Sequence, residues 1–229
     1  MYQLYIANKN YSSWSLRPWV LMQAHRIAFE EHVVSFRPGS NWESFRTFSP
    51  NGRVPCLHDG TTVVWDSLAI AEYLAERHSG LWPADPIARA WARCATAEMH
   101  SGFSTLRNHC GMSLGVRVRL REWPEALLAD VRRIDELWSE GLSRFGGPFL
   151  SGGRFTIVDA FYCPVAYRAR TYELPLTGAA RDYAARLLAL PEMRAWEAAG
   201  LAEPWRDLQH DEEIAGYGDV IADLRHGQA

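Results

Sequence analysis

The sequence predicts a small α/β domain followed by an all-helical domain, and three observations support this fold class. Up to residue 77, short apolar runs with a period of two alternate with segments of helical period. Residues 78–87 then contain two prolines and a glycine, which is typical of a linker. Beyond them only helical patterns recur. We therefore expect a first domain over residues 1–78, a linker over 79–87 and a second domain over 88–229.

The order of elements in the first domain follows from its turn and helix signals. Residues 2–7 and 29–36 are predicted strands, and a helix over 15–27 separates them. Two apolar runs, 54–58 and 62–65, meet at Asp59-Gly60, a strong hairpin signal. A helix over 67–77 follows directly.

The second domain is predicted to contain helices only, and the last dozen residues are expected to fray. Thr156-Ile-Val-Asp159 has the spacing of a capping box, which fixes the start of one of these helices. The predicted helices cover 87–110, 122–145, 156–170, 179–190 and 192–201.

Composition excludes several classes of function. The 229 residues carry a formal net charge of -3, which argues against a nucleic-acid or polybasic membrane surface. No apolar run is long enough to span a bilayer, so a cytoplasmic protein is expected. The four cysteines form no CxxC pair, and the eight histidines form no HxxxH motif. We therefore expect neither a metal centre nor a dithiol redox site.

The densest motif runs through the predicted hairpin into the next helix. It reads Ser-Pro-Asn-Gly-Arg-Val-Pro-Cys-Leu-His-Asp-Gly over 49–60 and Trp-Asp-Ser-Leu-Ala-Ile-Ala-Glu-Tyr-Leu over 65–74. Order, spacing and structural context together resemble the glutathione-binding half of the glutathione transferase superfamily. The resemblance extends over essentially the whole chain. It implies the fold of that family: a thioredoxin-like N-terminal domain and an all-α C-terminal domain.

The same resemblance implies how glutathione is held. A cis bond before Pro55 lets the backbone of Val54 pair with the cysteinyl residue as an added strand. Ser67, at a helix start, suits the γ-glutamyl carboxylate, and Asp66 suits the neighbouring ammonium. Arg53 is expected near one carboxylate of the tripeptide. Ser40, Asn41 and Trp42 are the candidates for binding the glycyl end, and the sequence does not decide between them. An Asp-Ser pair alone would more often be a plain helix cap.

A second motif follows the first predicted strand, where Tyr-Ser-Ser-Trp-Ser-Leu-Arg occupies 11–17. It looks like the Ser-Ser-Cys motif of the zeta class, which contains maleylacetoacetate isomerases. The match implies that Ser12 donates a hydrogen bond that stabilises the glutathione thiolate. Ser13 and Tyr11 are second choices, and Tyr5 is a further rival hydroxyl. Trp14 stands where zeta enzymes have cysteine, which argues against isomerase activity more than against thiol activation.

A weaker motif, Gly-Phe-Ser-Thr-Leu-Arg-Asn, occupies 102–108. It is similar to the zeta segment that helps to bind glutathione across the dimer, which implies roles for Ser104 and Asn108. A solvated or interface face is an equally good interpretation of that pair. Four-residue spacing also places Met99, Phe103 and Arg107 on one stripe, as a candidate wall of the electrophile pocket. Packing in the core is the simpler interpretation of Met99 and Phe103.

The sequence therefore predicts a homodimeric glutathione transferase with glutathione as co-substrate, no metal, and a small hydrophobic or unsaturated electrophile as second substrate. The alternatives are a glutathione-dependent cis–trans isomerase of the maleylacetoacetate or maleylpyruvate type, and a transferase-like binding module without activity. No nucleic-acid or membrane partner is expected.

Overall fold

A computed structural model describes residues 1–225. The first domain contains a four-stranded sheet in the order β2-β1-β3-β4, in which β1 and β2 are parallel and the other pairs antiparallel. Its elements are β1 (Tyr2–Ile6), α1 (Ser13–Ala24), β2 (Phe29–Val33), α2 (Trp42–Arg46), β3 (Cys56–Asp59), β4 (Thr62–Trp65) and α3 (Ser67–Ala75). The predicted order is confirmed, and the short helix α2 is added to it.

The second domain is helical, as expected, with one small sheet. Its elements are α4 (Pro86–Ser101), α5 (Ser104–His109), β5 (Val116–Leu120), α6 (Glu125–Phe145), α7 (Ile157–Tyr172), α8 (Gly178–Ala189), α9 (Pro191–Leu201), α10 (Leu208–Tyr217) and β6 (Gly218–Asp223). The predicted end of this domain, at residue 229, lies outside the described residues.

The helix predicted over 87–110 is wrong in one respect, because the chain breaks it into α4 and α5. Gly102 ends α4 at a place where an added Cβ would lie 2.8 Å from the carbonyl oxygen of Glu98. Phe103 follows with a left-handed φ of 57°. The break redirects the chain, so residues on either side of it do not share one helical face.

A two-stranded antiparallel sheet, β5 with β6, was not predicted for this domain. The first strand alternates valine or leucine with arginine, and its apolar side chains are buried. That alternation has the period of a strand. The second strand falls among the last dozen residues, where fraying was expected, and residues 218–223 are instead paired.

The loop after β1 is held by polar groups of the helical domain. The carboxylate of Glu203 accepts the backbone N–H of Lys9 at 2.7 Å, and the indole of Trp196 donates to the carbonyl of Lys9 at 3.0 Å. The side-chain oxygen of Asn10 accepts the N–H of Leu114 at 3.0 Å. These groups are buried or half-buried, so the loop that leads into α1 is fixed by both domains.

No helix among residues 1–225 combines the length and the apolar character needed to cross a bilayer. Within the same residues, no group of three or more histidine, cysteine or acidic side chains is arranged to hold a metal ion.

The predicted capping box at the start of α7 forms in the structure. Asp159 is fully buried, and its carboxylate accepts hydrogen bonds from four donors. They are the N–H of Leu150 at 3.0 Å, the N–H and hydroxyl of Thr156 at 2.8 and 3.1 Å, and the hydroxyl of Tyr183 at 2.7 Å. Burial raises the pKa of this carboxyl, and the hydrogen bonds oppose the rise. The box therefore joins α7, α8 and the turn before α7.

We expect Asp159→Ala to lower the free energy of unfolding by about 2–5 kcal/mol, because it leaves two buried backbone N–H groups without acceptors. Urea unfolding followed by circular dichroism measures the change. The control is Asp85→Ala at the start of α4. This exposed cap accepts only the N–H of Ala88 among the described residues, and it is worth about 1 kcal/mol. Equal losses in the two variants would contradict a structural role for the buried box.

Candidate functional site

A groove runs between the two domains and consists of two adjoining cavities. The narrow cavity has a volume of about 300 Å³ and the wide cavity about 570 Å³. Trp14, Arg53 and Val54 line both, so the cavities meet at these side chains. The narrow cavity is otherwise lined by Asn51, Pro55, Asp66, Ser67 and His100.

The narrow cavity brings together the two halves of the densest sequence motif. The Val54–Pro55 bond is cis, as predicted. Among residues 1–225, the backbone N–H and C=O of Val54 make no hydrogen bond to the protein. Asp66 and Ser67, at the start of α3, line the same cavity. An unpaired backbone and a helix N-terminus thus share one small cavity, which suits an extended peptide with a terminal carboxylate.

Asp66 is a helix cap and is also strained. Its carboxylate accepts the N–H of Leu68 at 2.8 Å, which is the ordinary capping role. Its φ of 74° lies in a region that favours glycine. Such strain costs about 1–3 kcal/mol and is typical of ligand-binding positions. The second carboxylate oxygen lies 3.5 Å from Nε2 of His100, whose pKa is lowered by burial.

The two candidate serines after β1 both line the wide cavity, next to Trp14. Ser12 is the N-cap of α1: its Oγ accepts the N–H of Ser15 at 3.4 Å and donates to Oγ of Ser15 at 2.8 Å. The capping role considered for Ser12 is therefore present. The Ser13 hydroxyl makes no hydrogen bond to any of residues 1–225.

The rival tyrosines are occupied elsewhere. Tyr11 lines the wide cavity, but its hydroxyl donates to Asp211 at 3.2 Å and accepts from Arg225 at 2.9 Å. Burial and the charge of Asp211 raise its pKa, so the phenol stays protonated. Tyr5 lies between His32 and the ring of Phe48, with centroids 4.6 Å from each. The Tyr11 hydroxyl thus already has partners in the helical domain, and Tyr5 lines neither cavity.

The loop before α2 forms one wall of the wide cavity. Ser40, Asn41 and Trp42 all line it, so the structure brings the three candidates for the glycyl end to the same wall. Asn41 uses its side-chain oxygen to accept the N–H of Arg37 at 2.7 Å. The side chain of Arg53, exposed at the junction of the cavities, faces both.

The stripe predicted from Met99, Phe103 and Arg107 does not exist as one surface. Met99 and Phe103 are buried in the hydrophobic core, and neither lines the groove. The break at Gly102 is the reason, because it ends the helix that the stripe requires. Arg107 does line the wide cavity.

Ser104 and Asn108 are both exposed on the short helix α5. They share a solvent-facing surface rather than a wall of the narrow cavity. Asn108 lines a further cavity of about 350 Å³ that shares Arg107, Gly111, His210 and Glu213 with the wide one.

Two arginines stand behind and beside the groove: Arg17, which ends the 11–17 motif but was given no predicted role, and Arg168, which no motif contains. Arg17 is only 1% exposed, and its Nη1 lies 3.5 Å from Oγ of Ser67. Its guanidinium lies over the rings of Trp14 and Phe161, at 4.0 and 4.8 Å. Arg168 is 5% exposed and lines the wide cavity. An arginine inside the otherwise apolar, buried segment of α7 was the available signal.

The protein's own thiols are not part of the groove. None of the four cysteines lines either cavity. Burial raises the pKa of Cys56 to about 11 and that of Cys110 to about 12, so neither thiol ionises near neutral pH. Any thiolate chemistry in the groove must therefore come from a bound thiol.

Family models and relatives agree with this geometry. The model of the glutathione S-transferase N-terminal domain matches residues 11–77, and that of the C-terminal domain matches residues 116–199. A probable maleylacetoacetate isomerase from Caenorhabditis elegans is 27% identical over 183 residues, which cover 76% of this chain and 81% of that protein.

Solved structures share the fold along most of the chain. A theta class glutathione S-transferase from Xanthomonas axonopodis pv. citri, with glutathione bound, is 26% identical with a TM-score of 0.60, covering 85% of this chain and 95% of its own. A glutathione transferase homologue from Burkholderia, also with bound glutathione, is 21% identical with a TM-score of 0.66, covering 87% and 97%. This chain therefore belongs to the glutathione S-transferase superfamily, and it is similar to the maleylacetoacetate isomerases within it.

Proposed function

We propose that the chain is a zeta-like glutathione transferase that activates the thiol of glutathione for attack on a small hydrophobic or unsaturated electrophile. One observation carries the proposal. The cis Val54–Pro55 turn and the Asp66–Ser67 helix start face one cavity, which opens past Trp14 into the cavity that Ser12 lines.

The γ-glutamyl end of glutathione fits the start of α3. Ser67 and the first N–H groups of the helix favour a carboxylate, and the buried charge of Arg17 stands 3.5 Å behind Ser67. Asp66 holds a negative charge beside this anion site, at the position that a neighbouring ammonium needs. A zwitterionic group therefore suits the site better than a phosphate does.

The middle and the far end of the tripeptide fit the adjoining wall. The unpaired N–H and C=O of Val54 can bond an extended peptide, which places the cysteinyl side chain toward the wide cavity. The glycyl carboxylate then lies beside Ser40, Asn41 or Trp42, and Arg53 stands where the narrow and wide cavities meet. Two clamped ends hold the thiol in one place, and this reduces the entropic part of the barrier.

Glutathione supplies the nucleophilic sulfur, and Ser12 lowers the thiol's pKa by donating a hydrogen bond to it. The Ser12 hydroxyl bonds Ser15 in the structure, so it must turn from Ser15 to the sulfur. The N-terminus of α1 adds a favourable field. Ser13, whose hydroxyl needs no such exchange, is the second choice.

Glutathione-dependent cis–trans isomerisation is the second candidate function. The similarity to a probable maleylacetoacetate isomerase favours it, and the same activated thiol would serve both reactions. Trp14, in place of the cysteine of the zeta motif, favours conjugation.

Two predictions from the family resemblance stay predictions. One is a cytoplasmic homodimer. The other is a contribution of Ser104 and Asn108, exposed together on α5, to glutathione binding across that dimer.

We expect Ser12→Ala to raise the pKa of bound glutathione by about 1–2 units, because a hydrogen bond to a charged group is worth about 1.5–3 kcal/mol. At neutral pH, kcat/KM should fall about 10- to 100-fold and recover as the pH rises. Thiolate absorbance in the ultraviolet and pH–rate profiles measure both effects.

The matched control is Ser13→Ala, which removes the neighbouring hydroxyl and leaves the cap of α1 in place. If Ser13→Ala alone shifts the thiol pKa, the donor is Ser13 and the assignment of Ser12 is wrong. Calorimetry on both variants shows whether glutathione still binds.

We expect Asp66→Gly to weaken glutathione binding about tenfold while the protein stays as stable as before. Glycine removes the carboxylate that meets the ammonium, but it relieves the strain of a positive φ and caps a helix almost as well. Calorimetric titration and thermal unfolding test the two parts. If Asp66→Gly binds glutathione as tightly as the wild type, Asp66 does not contact the ligand. Asp66→Ala keeps the backbone strain, so it should be less stable than Asp66→Gly.

A further inference from the structure

The guanidinium of Arg168 is buried in the wall of the wide cavity with most of its donors unused. Its Nε donates to the carbonyl of Cys110 at 2.7 Å. Among residues 1–225, neither terminal nitrogen has a hydrogen-bond partner. Both reach the surface of the groove rather than being sealed in the core. The two terminal nitrogens carry four N–H donors, and they are unpaired on a side chain that is 5% exposed and lines the cavity.

Arg107 meets the same cavity from α5 and is held rigidly. Its Nε donates to the carbonyl of Gly102 at 2.9 Å, and its Nη2 donates to the carbonyls of Met99 and His100. These bonds tie it to the end of α4 and leave Nη1 without a partner among the described residues. The guanidinium lies 4.6 Å from the ring centroid of Trp14.

The positive charge in this wall has no carboxylate bonded to it. Within residues 1–225, no acidic side chain forms an ion pair with Arg17, Arg107 or Arg168. Among residues 1–225, the charged or titratable side chains that line the wide cavity are Tyr11, Arg53, Arg107, Arg168, His210 and Glu213. Burial and the charge of Arg107 lower the pKa of Arg168 to about 10, so the guanidinium is charged at neutral pH but poorly compensated. A buried, unpaired cation is costly unless a ligand supplies its counter-ion.

We propose that Arg168, with Arg107, binds a carboxylate on the second substrate, so that the preferred electrophiles are anionic. The proposal rests on the proposed function and deepens it. The two arginines belong to the helical domain, whereas the wall assigned to the glycyl carboxylate of glutathione belongs to the first domain. The fork of Arg168 matches the geometry of a carboxylate, and the fixed Nη1 of Arg107 adds a third donor.

The test compares a chlorodinitrobenzoate with the matching carboxamide. In each case the glutathione thiolate displaces chloride and forms a thioether, and each rate is divided by the uncatalysed rate. The wild type should prefer the benzoate. Arg168→Met should lower kcat/KM for the benzoate about 10- to 100-fold and change that for the amide less than about threefold. For the benzoate, the kcat/KM of Arg168→Lys should lie between those of the wild type and Arg168→Met.

Arg170→Met is the matched control, since Arg170 lies on the same helix but pairs with Glu197 at 2.6 Å, away from the groove. It should leave the preference unchanged. The proposal is overturned if the wild type has the same kcat/KM for both probes, or if Arg168→Met lowers kcat/KM equally for both. In either case Arg168 has a structural role only.

Direct binding separates this proposal from the proposed function. Calorimetry with unreactive dinitrobenzoate uses the protein alone, and glutathione is titrated in a separate experiment. Dinitrobenzoate binding that depends on Arg168, without glutathione binding, supports the anion subsite and overturns the transferase. If glutathione binds and the amide is turned over, but the wild type does not prefer the benzoate, the transferase is supported and the anion subsite is overturned.

Discussion

The hydrogen bonds that fix the loop between β1 and α1 to the helical domain determine the geometry of the groove. Glu203 and Trp196 bind the backbone of Lys9, and Asn10 binds the backbone at Leu114. Gly200 allows the close approach, since an added Cβ would lie 2.6 Å from Leu114. Because the loop leads directly into Ser12, the position of the serine hydroxyl depends on how the second domain docks.

Docking also explains why the groove has two chemically different walls. The first domain supplies an unpaired backbone, a helix N-terminus and the strained Asp66, which together suit a peptide. The helical domain supplies Arg107 and Arg168, with unused donors and no bonded acid among the described residues. Strain and uncompensated charge both lower the stability of the protein by itself. A ligand that relieves both recovers that free energy on binding.

Much of this was predictable from sequence, because short motifs in both domains encode local geometry. The turn at Val54–Pro55, the helix start at Ser67 and the capping box at Asp159 each need particular residue types, so their patterns are specific. The break at Gly102 was missed because one glycine within a helical pattern is a weak signal. The pairing of β5 with β6 depends on residues about 100 positions apart, which periodicity does not report. The neighbours of Arg168 likewise come from other elements, so only the folded chain shows that its charge is unpaired.

Trp14 connects the two halves of the site. It lines both cavities, and the guanidinium groups of Arg17 and Arg107 lie 4.0 and 4.6 Å from its ring. One arginine stands behind the helix start that suits the γ-glutamyl carboxylate, and the other faces the wide cavity. A cysteine at this position would offer no ring to hold either cation. The large aromatic residue thus lets two positive charges stay close to one groove, because the face of the indole partly offsets their repulsion.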